Sequence, residues 1–276
     1  MPYTVIVSQG RVADRTAGAI PGAAAVGAAV AERLGVSVRK CGTPTAPVDD
    51  AWPAALAQAE PTLVELARAV REALDDDLTP LLALNKCPAS LGTLPVAAAR
   101  WPDLKVLWID AHGDFNTPAT TTSGYLGGMV LAAACGLWDS GHGAGLSGSN
   151  VVVLGGHDLD AEESRLLAVA GATVVPPRAG SDEAVARAVE AALGDGPVWV
   201  HLDCDALEPG HVPADYVVPG GLAPTTLRAV LAGLPRERVV GLEVAEFEAR
   251  EDAEGAGPGT HGGLATLLEA LSPVLP

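Results

Sequence analysis

Hydrophobic and polar positions along the chain alternate between two periods. Short apolar runs rich in Val, Ile, Leu and Trp, at 3–7, 36–41, 80–84, 105–109, 151–154, 173–175, 197–202 and 239–244, are predicted as strands. Between them, apolar residues recur at helical spacing over 16–34, 52–74, 91–99, 128–135, 161–170, 182–193 and 225–234, and a last helix is predicted at 262–271. Near-continuous apolar strands joined by helices imply a mostly parallel sheet of about eight strands, because right-handed crossovers place helices on both faces. The expected fold class is therefore three-layer α/β, in a single domain spanning 1–276. The glycine-rich stretches 141–148 and 255–263 read as loops without a phosphate-binding pattern.

Ligands of such sheets bind beyond the carboxyl ends of the strands, and two strand ends here are acidic. The strand at 105–109 runs into Asp110, His112 and Asp114, and the strand at 197–202 runs into Asp203 and Asp205. Alternate residues of an extended segment point the same way, so each set should share one side, with Cys204 sent to the other. Four carboxylates crowded into one pocket could not all stay ionised without cations. Oxygen donors with one imidazole suit a hard or borderline divalent ion, and carboxylates that bridge two such ions hold them about 3.5–4 Å apart, the spacing used to ionise water. A pair of divalent ions such as Mn²⁺ is the expected cofactor.

At these residues the chain resembles the ureohydrolase family of arginase, agmatinase and formiminoglutamase. The resemblance covers essentially the whole chain and is carried by DAHGDFNTPATTTSG, GGHDLDAEE, HLDCDALEPG and EVAEFEA. It implies an arginase-like fold and a dimanganese hydrolase of linear amidines, acting on a small guanidino amino acid. By the same resemblance Asp110 and Asp203 bridge the two metals, Asp114 completes one coordination sphere, and His112 with Asp205 completes the other. Glu246 matches the glutamate that receives the guanidinium; Glu243 and Glu248 lie in the same segment but do not match the motif. Asn116, Thr121 and Ser123 match contacts to the substrate carboxylate, and Asp160 matches the contact to its α-amino group, with Glu163 reaching it through water.

Two departures from the family pattern bear on the substrate. Where the family supplies a further histidine ligand, this chain reads LNKCPASLG, which puts Cys87 at the ligand position. A thiolate is softer than Mn²⁺ prefers, so that metal should be held more weakly. Where arginases carry a histidine that shuttles protons to the leaving amine, SGYLGG places Gly127, which can donate nothing. Both losses point to a less basic substrate than arginine. The expected reaction is hydrolysis of Nω-hydroxy-L-arginine to L-ornithine and hydroxyurea, within a branch of the family that serves antibiotic biosynthesis. The alternatives are an ordinary arginase and a catalytically silent member that binds an arginine-like ligand. His201, two residues before Asp203, shares its face and is placed beneath the site. His142, His211 and His261 fall in loops and are candidates for the missing shuttle.

Composition changes this picture little. A net charge of −17 argues against nucleic acid or an anionic membrane as partner. The four cysteines have no paired spacing, so a disulfide framework is not expected. No stretch reads as a signal peptide or a membrane span, and a cytoplasmic protein is expected, with a homo-oligomer possible.

Overall fold

The computed structural model describes residues 2–251 and 259–275. Its eight strands are β1 (Tyr3–Ser8), β2 (Val38–Cys41), β3 (Thr79–Ala83), β4 (Lys105–Asp110), β5 (Val151–Gly155), β6 (Thr173–Val175), β7 (Val198–Asp203) and β8 (Val239–Ala245). They form one sheet in the order β2-β1-β3-β8-β7-β4-β5-β6, and every pairing is parallel. The eight helices are α1 (Ala19–Leu34), α2 (Trp52–Asp75), α3 (Leu94–Arg100), α4 (Val130–Ala134), α5 (Ala161–Ala170), α6 (Asp182–Leu193), α7 (Pro224–Gly233) and α8 (Thr260–Ala270).

The pleat divides the core in two. Val5, Val7, Leu107, Ile109, Val200 and Leu202 pack against α1, α6, α7 and α8 on one face. Ile6, Leu82, Val106, Trp108 and Trp199 pack against α2, α3, α4 and α5 on the other. Strands buried on both faces read as continuous apolar runs, which is why they were legible.

Several boundaries depart from expectation. The run expected as a helix over 91–99 begins as a 3-10 turn, Cys87–Leu91, and the α-helix starts only at Leu94, where Pro95 sits at a first-turn position that tolerates its missing N–H. The segment expected as a helix from 128 opens with a second 3-10 turn, Gly127–Met129. The last helix begins at Thr260, two residues before the expected start; Gly262 and Gly263 lie inside it. The expected loop at 255–263 falls largely on 252–258, which lie outside the described residues.

Candidate active site

The sheet brings β3, β8, β7 and β4 side by side, so Cys87, Glu246, Asp203 and Asp110 follow the carboxyl ends of four adjacent strands. Cys87, Glu246 and Asp203 meet in a cleft of about 360 Å³, and Asp110 lies fully buried behind its wall, against His112. The cleft walls include Cys87, His112, Asp114, Asn116, Ser123, Asp160, Glu163, Asp203, Asp205 and Glu246. Thr121 does not line it: its hydroxyl accepts the Gly124 N–H, and Thr122 takes the wall position instead. A larger cavity, about 590 Å³, opens at the amino ends of the strands near Thr79, Trp101 and Pro197, and contains none of the buried polar atoms that lack a partner.

The pleat alone does not deliver the acidic residues. β4 stops at Asp110, whose Oδ1 accepts the His112 N–H at 2.7 Å, and Asp114 then adopts φ +49°. β7 stops at Asp203, which caps a 3-10 turn, Cys204–Ala206, by accepting the Asp205 N–H on Oδ1 at 2.7 Å. Simple alternation is replaced by two tight turns in which carboxylates hold the backbone that follows them. A left-handed conformation is costly for residues other than glycine, on the order of 1–2 kcal/mol, and both Asp114 and Glu246 (φ +63°) adopt it inside the cleft. Gly155 allows the crowding: at φ +117°, an added Cβ would lie 2.1 Å from the Asp110 carbonyl oxygen.

Three sets of side chains could each hold a metal ion: Cys87 with Asp203 and Glu246, Cys87 with Asp110 and His201, and Asp110 with His112 and Asp205. Cys87 Sγ donates to Asp203 Oδ2 at 3.0 Å and lies 3.3 Å from His201 Nε2. His112 Nδ1 lies 3.3 Å from Asp110 Oδ1 and 3.2 Å from Asp205 Oδ2. Asp114 belongs to none of the three sets, yet its buried Oδ2 has no hydrogen-bond partner among the described residues.

Beneath these groups lies a buried layer. His201 stacks on Trp108 with ring centroids 3.6 Å apart, and its Nδ1 meets Glu243 Oε2 at 2.8 Å. Glu243 also accepts from Ser90 and Thr93. Glu243 is thus spent on orienting His201, and Glu248 accepts from Thr16 and Lys86, which leaves Glu246 as the glutamate of its segment in the cleft. Lys86, unnoticed in the sequence, is fully buried; its Nζ reaches Glu246 Oε2 at 2.6 Å, Asp215 Oδ2 at 3.0 Å and Glu248 Oε1 at 3.3 Å. The other oxygen of Glu246 accepts the Cys87 N–H. At the outer end Asp160 caps α5 through Oδ1, and Asn116 donates to its Oδ2 at 3.0 Å. Glu163 Oε1 accepts the Phe115 N–H. His142 pairs with Glu60 at 2.9 Å, and neither it, His211 nor His261 lines the cleft, so no shuttle candidate among them is where the missing histidine would act.

Burial raises the Asp110, Asp114 and Asp203 carboxyls above the ordinary range, with Asp205 adding to the effect on Asp110 and Asp203, and Asp110 on Asp114. Burial also lifts Glu163 to about 7. Glu246 is lifted to about 7 although Lys86 opposes the rise. His112 is raised as well: burial works against its charge, but Asp110 and Asp205 outweigh it. Each of these groups binds protons more tightly folded than unfolded. Stability of the chelator-treated protein should therefore fall as pH rises from about 4.5 to about 7, by on the order of a few kcal/mol. Urea midpoints at pH 5 and pH 8 after chelation measure this. A midpoint that is higher at pH 8 would show that the crowded carboxylates ionise at no cost.

The Arginase family model matches residues 13–263. The chain belongs to the arginase family. It is accordingly a hydrolase of guanidino or amidino groups. A Streptomyces lavendulae protein named N(omega)-hydroxy-L-arginine amidinohydrolase is 49% identical over 269 residues, 98% of this chain and 96% of its own. An arginase of Eremothecium gossypii is 34% identical over 184 residues, which are 59% of this chain and 45% of that one. Among solved structures, the arginase of Bacillus cereus matches with a TM-score of 0.83 at 26% identity, covering 99% of this chain and 98% of its own. The arginase of Bacillus subtilis matches with a TM-score of 0.82 at 24% identity, covering 100% and 98%, a likeness of fold. No described helix is long and apolar enough to cross a membrane.

Proposed function

We propose that this chain hydrolyses Nω-hydroxy-L-arginine to L-ornithine and hydroxyurea with two Mn²⁺ ions, in a pathway of antibiotic biosynthesis. The observation that carries the reading is its near-full-length likeness to the hydroxyarginine amidinohydrolase of Streptomyces lavendulae. The donor set fits a metal pair. Buried carboxylates whose charge is otherwise uncompensated, and a buried Asp114 Oδ2 without a partner, are what cations would satisfy. Asp110 and Asp203 would bridge, with Cys87 and Asp114 on one ion and His112 and Asp205 on the other. When bound, the ions polarise the guanidino group and lower the pKa of water.

The chain's own residues do the rest. Glu246, fixed by Lys86 and the Cys87 N–H, receives the guanidino nitrogens. Asn116 and Ser123 hold the substrate carboxylate with Thr121 bracing their loop, while Asp160 and Glu163 hold the α-amino end. Asp114 takes the proton of the attacking water on its second carboxylate oxygen and returns it to the departing amine nitrogen. His201 and Glu243 keep Cys87 oriented from below.

Substituting cysteine for histidine and glycine for the shuttle weakens one metal and removes a proton donor. An N-hydroxyguanidine tolerates both better than the more basic guanidine. Steady-state kinetics on both substrates with saturating manganese should give a kcat/KM at least about tenfold higher for hydroxyarginine, a difference of about 1.4 kcal/mol in transition-state stabilisation. Equal or greater kcat/KM for arginine would return the protein to the plain arginase reading.

A further inference from the structure

Position 127 lacks a side chain, but the space is not empty. A Cβ built on Gly127 would lie 2.4 Å from Cε1 and 3.2 Å from Cζ of Tyr125, so the tyrosine ring and any residue-127 side chain exclude each other. The ring is fixed in place. The Arg15 guanidinium sits 4.2 Å over its centroid and is itself paired with Asp49 at 2.6 Å, and the Tyr216 ring stands 6.1 Å away. Tyr125 lines the same cleft as Glu246 and Cys87. Its hydroxyl is buried and has no hydrogen-bond partner among the described residues. A buried hydroxyl left unpaired costs free energy, and at a cleft wall the missing partner is the bound ligand.

We propose that the Tyr125 hydroxyl donates a hydrogen bond to the N-hydroxyl oxygen of the substrate, making Tyr125 a specificity-determining residue that stands where arginases place a histidine. The inference rests on the hydroxyarginine reading above. A guanidinium presents N–H donors only, so against arginine the phenolic proton finds no acceptor. The hydroxylated guanidine brings an oxygen that accepts it. A site that leaves one of its own polar groups unpaired rejects the substrate lacking the partner, and that asymmetry discriminates more strongly than shape does. Glycine at 127 and tyrosine at 125 are then one device: removing the first side chain makes room for the second.

Tyr125→Phe removes the hydroxyl and keeps the ring. Its urea midpoint and manganese content should equal or exceed those of the wild type, because a buried unpaired hydroxyl is lost. Its kcat/KM for hydroxyarginine should fall about tenfold or more, while that for arginine changes less than about threefold. An equal fall on both substrates, or none on hydroxyarginine, overturns the proposal. The wild-type rates test the hydroxyarginine reading separately. Should the wild type turn over neither substrate, calorimetric titration of the manganese-loaded protein with hydroxyarginine still decides: an unchanged Kd in Tyr125→Phe overturns the contact, a weaker one supports it. The double variant Tyr125→Ala with Gly127→His should shift relative kcat/KM toward arginine beyond either single change. Gly127→His alone, if it folds and gains arginine turnover as well as the double variant does, shows that the ring does not occupy the histidine's space.

Discussion

Asp203→Ala is expected to strip the metal pair and to lower kcat/KM for hydroxyarginine by well over two orders of magnitude. Asp203 Oδ2 meets Cys87 Sγ at 3.0 Å, and its Oδ1 holds the turn that aims Asp205. One substitution therefore removes a proposed bridging donor and releases the backbone that presents a second. Losing a partner that merely orients a metal ligand costs about 10–100-fold, so losing a bridge should cost more. Metal analysis of the purified variant measures the first effect, and two equivalents retained with normal turnover would sink the dinuclear assignment. A second readout separates this from misfolding. Without metal, Asp203 is one of several acids whose burial, with their proximity to one another, raises their proton affinity, so in chelator the alanine variant should unfold at no lower urea concentration than the wild type. A large drop there would mean that Asp203 stabilises the fold by itself.

How far the sequence reaches depends on which force places each residue. Asp110 and Asp203 were legible as strand ends because burial on both faces makes β4 and β7 uninterrupted apolar runs, and a carboxylate that closes such a run sits at the carboxyl end of the sheet, where ligands of parallel sheets bind. The extended geometry assumed for the residues beyond them was not. Side-chain to backbone bonds from Asp110 and Asp203 curl the chain at once, and the left-handed Asp114 has no local sequence signal such as glycine. Cys204 packs into the core opposite the one that holds Cys87. Helices α5 and α6 began and ended where read, since Asp160 and Ser181 cap them through their side chains. By contrast α8 starts before its two glycines, because packing of Leu267 and Ala270 outweighs their poor propensity. Thr121 and Thr122 are adjacent threonines in a loop, and periodicity does not say which of them turns inward. Lys86 and Tyr125 were missed for a different reason. A lone lysine is ordinarily exposed and a lone tyrosine ordinarily structural; only their surroundings in the fold, three carboxylates around one and an absent side chain beside the other, mark them out.

Lys86→Met should be the most destabilising of the conservative-volume changes near the cleft, at about 3–5 kcal/mol, because it removes one partner of a buried ion cluster and leaves the others charged. Glu246, Glu248 and Asp215 come from two separated segments, and the ammonium is the common positive group among them. For a chain of this size the loss corresponds to a fall in Tm of roughly 6–20 °C, readable by thermal unfolding of the manganese-loaded protein. The pH dependence carries the mechanism. Burial disfavours charge on Lys86, but the surrounding glutamates raise its pKa above the ordinary lysine value, so the wild-type contribution is complete throughout the neutral range and is lost only in strong alkali. In the variant the acids lose that cation, and protonating them relieves the repulsion. Because Lys86 holds the Glu246 pKa down, its loss lets Glu246 protonate at higher pH, so the gap between wild type and variant should narrow as pH falls from 8 toward about 7, where the wild-type glutamate itself begins to protonate. A gap that is constant from pH 8 to pH 5 would assign the loss to packing of the lysine stem rather than to its charge. Turnover should fall together with stability, since Glu246 would keep only the Cys87 N–H to hold it in its left-handed conformation against the incoming guanidino group.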